Sequence, residues 1–384
     1  MSKSPTVRIL FIIDYFHRTG GTETHLALLV QWLAAAGFHC EVVVFDLGQN
    51  DLIEQIRTAG VTVHHLPVAR EYSPNALRQA WRLARLVRQG RFDVVQTFHQ
   101  KSDTYGAVVA RLAGVRHLVS SKRDTGHLRR PHHFFLNRRL RFLFQRIIVV
   151  ADAVAAAVIR SDHIDPARVV KIYNGVDSNK FIPASPAQAQ AARARFGLTD
   201  RDLVVGMVAG FRPEKDHRML LEGALAARSR LPDLKVLLVG DGPLLAPLRA
   251  QYEAAGFVTF AGDVRDVWNV LMAMDIGCLL PSSNEGFSNA IVEKMAAGLP
   301  IIATDMGGNA EAVVAGENGY IIPPGDVPAL VSALVGLGGD PAQRVKMGRR
   351  SREYVEEKFS LQQMCGRHAR LYRELCGVAA ADVE

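Results

Sequence analysis

The chain predicts an α/β protein built from two doubly wound βα domains joined by a hinge. Three observations carry that prediction. Short aliphatic runs of strand length alternate with amphipathic helical stretches along nearly the whole sequence. The alternation breaks once, in a turn-forming segment with two prolines between residues 174 and 190. And 384 residues are too many for one ordinary core but suit two.

In the first half the strand-like runs are "VRILFII", "CEVVVF", "VTVHHL", "FDVVQTF", "HLVSS", "RIIVV" and "VVKIY". They are near-continuous aliphatics, as strands buried on both faces of a parallel sheet must be. Helical stretches such as "TETHLALLVQWLAAAG", closed by Gly37, and "PNALRQAWRLARLVRQG", closed by Gly90, separate them. These make a domain over 1–175. After "NGVDSNKFIPASPAQAQ" the pattern restarts with "LVVGMVAG", "LKVLLVGDG", "FVTFAG", "DIGCLLPSS", "LPIIATD" and "NGYIIPP", a second domain over 176–358. The remainder, 359–384, contains "SLQQMCGRHARLYRELCGV", a helix by its apolar spacing, expected to pack back on the first domain. Two such domains would leave a cleft at the carboxyl ends of their strands, where ligands bind in these sheets.

Composition narrows the class. The longest aliphatic stretch, Arg146 to Arg160, is short for a bilayer span and interrupted by Asp152. No signal peptide is read at the N-terminus. Cys40, Cys278, Cys365 and Cys376 lie far apart with no C-x-x-C pair, which fits a reducing compartment, the cytoplasm, and argues against structural zinc. The net charge of +8 is uneven: residues 1–185 hold 25 Lys+Arg against 14 Asp+Glu, and the rest 21 against 24. The basic half therefore suits an anionic surface or substrate. Its densest part, Val115 to Arg146, carries Arg123, Arg129, Arg130, Arg138 and Arg139, and in "FFLNRRLRFLF" interleaves arginines with aromatics as a membrane-surface helix would. A core-packed helix with a solvated basic face explains the pattern equally well. No nucleic-acid reader motif accompanies the charge.

The loops after the strands carry the chemistry. Gly20 and Gly21 open the first helix, where backbone N–H groups can meet an anion, although a tight turn alone would also explain them. The G-x-G-x-x-G spacing of a dinucleotide site is missing. Arg212 and Lys215, in "FRPEKDH", stand at the start of a helix, where cations oppose the dipole unless an anion lies between. Gly242, in "VGDGP", and Val264 lie in further strand-end loops, the first bringing backbone close to a flat ligand such as a base. Finally "PSSNEGFSNAIVEKMAAG" places Phe287, Ser288 and Asn289 at a helix head that would accept phosphate oxygens. Glu285 precedes it and Glu293 lies inside it. Each carboxylate can grip a vicinal diol, so Glu293 reads as a ribose grip and Glu285 as a sugar grip, with a diphosphate between. Dipole-compensating acids are the plainer explanation for either one alone.

With these pieces the sequence resembles a family 4 glycosyltransferase of the two-domain GT-B fold. The resemblance rests on "GGTETHLALLVQWLAAAGFHCEVV", "YNGVDSNKF", "VAGFRPEKDHRMLL", "LVGDGP" and, above all, the E-x7-E run "EGFSNAIVEKMAAGLPIIATDMGGNAE". It implies retaining transfer of a sugar from a nucleotide donor to an acceptor hydroxyl without a metal or other cofactor. It further implies that Lys215 neutralises the diphosphate, that Glu285 contacts the sugar and Glu293 the ribose, and that Gly21 and the backbone at 287–289 hold phosphates. Two departures stand out. Gly210 occupies the place of the arginine in the V-A-R-L-R-P-E-K pattern of many members, with Arg212 as the candidate replacement. Arg123 stands where many members place a histidine, leaving His99 as the candidate first-domain histidine or simply a core-edge one.

The expected function is thus hexosyl transfer from a nucleotide-sugar, UDP-sugar ahead of GDP-sugar, to a lipid-linked or polysaccharide acceptor at the inner membrane face. A nucleotide-sugar epimerase of similar architecture and a nucleotide-sugar-binding protein without turnover are the alternatives.

Overall fold

The computed structural model describes residues 6–16, 20–126, 129–264 and 266–378. The chain divides into two compact units, residues 1–173 with 362–384, and residues 174–361.

The first unit holds β1 (Arg8–Phe16), β2 (His39–Leu47), β3 (Thr62–His65), β4 (Val94–Phe98), β5 (His117–Lys122), β6 (Arg146–Val149) and β7 (Val169–Lys171). They form one parallel sheet in the order β3-β2-β1-β4-β5-β6-β7. Helices cover both faces, so Ile9 to Ile13 and Val42 to Val44 lose all solvent contact, and this burial is the main source of stability. The helix Pro74–Gly90 ends one residue later than its glycine suggests, because Arg91 takes the left-handed turn at φ 47°. A methyl group on Gly90 would lie 2.2 Å from the Phe92 ring, so that glycine serves packing.

The helix Leu361–Cys376 docks on this sheet from residue 362 onward. Tyr372, buried edge-on against Phe11 at 6.4 Å, donates its hydroxyl proton to Gln96 Oε1 at 2.6 Å. Beside it His368 packs against His25, ring centroids 5.4 Å apart. His368 Nδ1 donates to the Met364 carbonyl, while its Nε2 and both nitrogens of His25 have no hydrogen-bond partner among the described residues. Burial holds His25 well below the usual imidazole range and His368 down to about 4, with the Arg123 charge adding to both. In the unfolded chain these rings titrate near 6.5, so below that pH the unfolded state binds more protons. Stability is therefore full above about pH 6.5 and is lost as pH falls toward about 4. Melting at pH 4.5 should begin roughly 5 °C or more below that at pH 7, and His25→Phe should shrink the difference. Identical melting at the two pH values contradicts this.

The second unit holds β8 (Leu203–Val208), β9 (Leu234–Val239), β10 (Val258–Gly262), β11 (Ile276–Leu279), β12 (Ile301–Thr304) and β13 (Gly319–Ile322), again parallel, in the order β10-β9-β8-β11-β12-β13. Part of the hinge segment is helical: Ser185 caps the helix Pro186–Arg195 reciprocally with Gln188. In each sheet the order reverses beside the first strand, between β1 and β4 and between β8 and β11. In open parallel sheets the carboxyl ends at such a reversal are where ligands bind, which makes these pairs the natural ligand crevice of each unit.

Candidate active site

In the second unit the crevice lies between the loops after β8 and β11. After β8, Arg212, Pro213, Glu214 and Lys215 make a tight turn, and Asp216 takes a left-handed conformation at φ 48° to cap the helix His217–Ala227 through Met219 N, 3.1 Å. Lys215 thus lies ahead of the helix rather than in its first turn. The Glu214 carbonyl accepts from Ser282 N at 2.9 Å, which ties this turn to the loop after β11. That loop is backed in turn by Gly307 and Gly308. A methyl on Gly307 would sit 2.2 Å from the Glu285 carbonyl oxygen, and Gly308 N donates to Gly286 O at 2.7 Å. Both ends of the site are therefore held by backbone bonds.

Between them Lys215 Nζ meets Glu285 Oε2 at 2.6 Å, both side chains mostly sheltered. The helix Asn289–Ala296 starts just beyond, with Ser288 at the N-cap position making no side-chain cap bond. A helix head without a side-chain cap, next to an ammonium group, favours an anion. Asn174 is buried and donates to Asn289 Oδ1 at 2.7 Å and to the Phe287 carbonyl at 3.3 Å, so the start of this unit also positions the helix head. Glu293 is half-buried, and loss of solvent pushes its carboxyl up to about 7. It gains solvation or a partner by accepting hydroxyl protons, as a ribose diol offers.

The remaining donor-side residues divide. Arg212 is exposed, and its Nε lies 3.8 Å from where a side chain on Gly210 would begin, with only the Asp241 carbonyl nearer, at 3.5 Å. The guanidinium group thus borders the space at Gly210. The glycines of "GDG" are required by packing: a methyl on Gly240 would lie 2.1 Å from Ala209 O, and one on Gly242 2.6 Å from Phe211 O. Gly242 also borders a pocket of about 380 Å³ with Leu245, Arg249 and Glu253. Pro243 lies in the turn before the next helix, which begins at Leu245. Val264 is half-buried in its loop, and its neighbour Arg265 lies outside the described residues.

In the first unit the crevice lies between β1 and β4. Asp14 accepts from the backbone N–H of Lys101 and Ser102 at 2.8 and 2.6 Å, and burial pushes its carboxyl up to about 7. His99 is strained at φ 71° and stacks on Tyr15 at 4.5 Å. Burial holds it down to about 4, so its ring is neutral and suited to accepting or relaying a hydroxyl proton. A π-helical turn, Ser102–Gly106, follows, a feature frequent at functional sites.

Three first-unit expectations change. The head of the Gly21 helix already has an acid over it: Glu23, buried in the first turn, would lie 2.5 Å from a methyl on Gly20. That carboxylate competes with any phosphate at Gly20 and Gly21. The preceding residues 17–19 lie outside the described residues. Arg129 is not a surface cation: its Nη1 binds buried Asp162 at 2.9 Å, in a network with Lys122 and Asp103. Arg123 is half-buried, its guanidinium pushed down by burial and drawn back by Glu23. By contrast Arg130, Arg138 and Arg139 are exposed. Sequence reasoning missed Asp14, Tyr15 and Asn174; only Asp14, a lone acid in an aliphatic strand, left a signal. Among the described residues no group of three or more His, Cys, Asp or Glu is placed to hold a metal ion, and no helix is long and apolar enough to cross a membrane.

Two family models match the chain, the Glycosyltransferase Family 4 model over 19–180 and the Glycosyl transferases group 1 model over 202–340. A relative from Escherichia coli, UDP-Gal:alpha-D-GlcNAc-diphosphoundecaprenol alpha-1,3-galactosyltransferase, is 28% identical over 73% of this chain and 74% of its own. Bacillus anthracis N-acetyl-alpha-D-glucosaminyl L-malate synthase is 26% identical over 94% and 96%. The crystal structure of Anabaena Alr3699/HepE in complex with UDP-glucose shares the fold with a TM-score of 0.81 at 22% identity, over 96% of this chain and 99% of that one. The chain belongs to the family 4-like hexosyltransferases built on the GT-B fold.

Proposed function

We propose that this enzyme moves a hexosyl group, with retention, from a UDP-sugar to a hydroxyl of a lipid-linked or polysaccharide acceptor in cell-surface glycan synthesis. One observation carries the reading: Lys215 and Glu285, 2.6 Å apart, stand at the head of the Asn289 helix where β8 and β11 diverge. In this reading the donor diphosphate takes the place of Glu285 beside Lys215, with helix N–H groups completing its shell. Glu285, released, turns to the sugar hydroxyls, and Glu293 accepts from the ribose. As the glycosidic bond breaks, charge grows on the β-phosphate, and the fixed cation and amides stabilise it. A phosphate oxygen on the same face takes the acceptor proton, which accounts for retention without a side-chain base. Lys215 supplies the charge that a metal would otherwise bring, so turnover should survive a chelator. The E. coli relative's UDP-galactose and the Anabaena neighbour's UDP-glucose support UDP as the first candidate, and GDP stays the second because other relatives are GDP-mannose-dependent.

The test is a thermal-shift screen of UDP- and GDP-sugars against wild type and Lys215→Ala, followed by NMR of the product's first-formed anomer. Stabilisation by one nucleotide class in wild type alone, then retention, supports the reading; an inverted product overturns it.

Arg212 is read as standing in for the arginine absent at Gly210. Arg212→Ala should lower kcat/KM about tenfold or more, and adding Gly210→Arg, whose Cβ would make only ordinary contacts, should restore most of it. No loss in the single variant contradicts the substitution of roles.

The acceptor is assigned to the first unit, near Asp14, Tyr15 and His99. Membrane contact is assigned to Phe135 and Phe142, exposed at 58% and 66%, with Arg139 and Arg141 stacked on them at 5.1 and 4.2 Å. With Arg130 and Arg138 these suit the anionic cytoplasmic leaflet. Vesicle binding should rise with phosphatidylglycerol, fall with salt and weaken in Arg138→Glu/Arg139→Glu. Binding indifferent to lipid charge contradicts it.

A further inference from the structure

Lys294 follows Glu293 on the Asn289 helix, on the side that packs against the sheet. It has no solvent exposure. Room for its stem comes from Gly277 in β11, where a methyl would lie 2.6 Å from Lys294 Cδ and 3.0 Å from Ile301 Cδ1. An apolar side chain would fill this position at lower cost, because burying an ammonium group forfeits its hydration.

The ammonium runs back along the helix toward its head. Nζ donates to the Ala290 carbonyl in the first turn, at 3.2 Å, and makes no carboxylate pair within 4.0 Å among the described residues. Three donors therefore share one neutral acceptor. A cation there also faces the positive end of the helix dipole. The titratable groups around it are Glu293 on the same helix, Cys278 on β11 and Lys215 in the turn after β8. Burial pushes Lys294 down to about 8, Glu293 and Cys278 act in the opposite sense, and Lys215 reinforces the fall. The group is poised to gain a proton when an anion arrives at the helix head.

We propose that Lys294 is a second, buried cation of the donor site, strengthening the hold on the diphosphate from beneath the helix in a chain that has glycine at position 210. The inference rests on the reading of the Asn289 helix head as the diphosphate site. Lys294 acts through the field at that site, as a positioning charge and not as a group touching the reacting atoms.

Calorimetric titration at pH 8.5, in two buffers of different ionisation enthalpy, tests it with UDP and GDP, following whichever binds. At that pH the terminal phosphate is already fully ionised, so proton uptake reports the protein. Wild type should take up a fraction of a proton on binding. Lys294→Met, which keeps the stem, should abolish the uptake and weaken the nucleoside diphosphate about tenfold, leaving binding of the corresponding nucleoside unchanged. Wild-type affinity and uptake in a folded Lys294→Met overturn the proposal, and so does absent uptake in wild type, which needs no variant. If Lys215→Ala weakens the diphosphate and Lys294→Met does not, Lys294 alone is misassigned. If neither variant weakens it, the diphosphate reading falls as well.

Discussion

Replacing Lys215 by alanine is expected to lower kcat/KM by about 10³-fold, with most of the loss in kcat. Two effects add. The variant loses the cation facing the leaving diphosphate, whose charge is greatest in the transition state. It also strands Glu285, whose carboxylate is 2.6 Å from the ammonium in the intact site and would then repel the phosphates. The double variant Lys215→Ala/Glu285→Gln separates the two: nucleoside-diphosphate affinity should recover because the stranded charge is gone, while turnover stays low. Turnover near wild type in the single variant would mean that the leaving group is stabilised elsewhere.

Asp162→Ala is expected to cost about 3–5 kcal/mol of stability in the first unit. Asp162 Oδ2 accepts from Arg129 Nη1 at 2.9 Å and Asn137 Nδ2 at 3.3 Å, with Lys122 Nζ at 3.9 Å. Asp103 completes the network, binding Lys122 Nζ at 2.6 Å and accepting from Thr97 and Ser120 hydroxyls at 2.5 and 2.8 Å. Two cations are balanced by two carboxylates. Deleting one acid leaves excess positive charge on Lys122 and Arg129, which are only 7% and 13% exposed, and that uncompensated charge, not the lost contact, dominates the cost. Urea unfolding should show an earlier transition. A loss below about 1 kcal/mol would mean that the network is hydrated.

This network also marks where reading the sequence stops. The strands were legible because buried parallel strands are aliphatic on both faces: each run, from "VRILFII" to "NGYIIPP", overlaps a strand of the two sheets. The helix head between Glu285 and Glu293 was legible because small residues and an N-cap candidate precede a helical run and then an aliphatic strand, and Asn289–Ala296 and Ile301–Thr304 take those forms. Arg129 was not, because its partner Asp162 is 33 residues away at the end of the helix Asp152–Asp162 and nothing local links them. The glycines divided on the same ground. Those of "GDG" invited a ligand, whereas close approach of the 209–211 backbone explains them, and close approach depends on tertiary packing. Lys294 was passed over because a lysine in an amphipathic helix usually faces solvent, and only its burial against Gly277 in the folded chain shows that it points inward. The family match decides for transfer over the epimerase alternative.

The most direct test of the account is a crystal structure with the preferred nucleoside diphosphate soaked in. The β-phosphate is expected within hydrogen-bonding distance of Lys215 Nζ and of backbone N–H groups at Ser288 and Asn289, with Glu285 displaced from the lysine and Glu293 on the ribose. A nucleotide bound elsewhere, with the Lys215–Glu285 pair still closed, would contradict it.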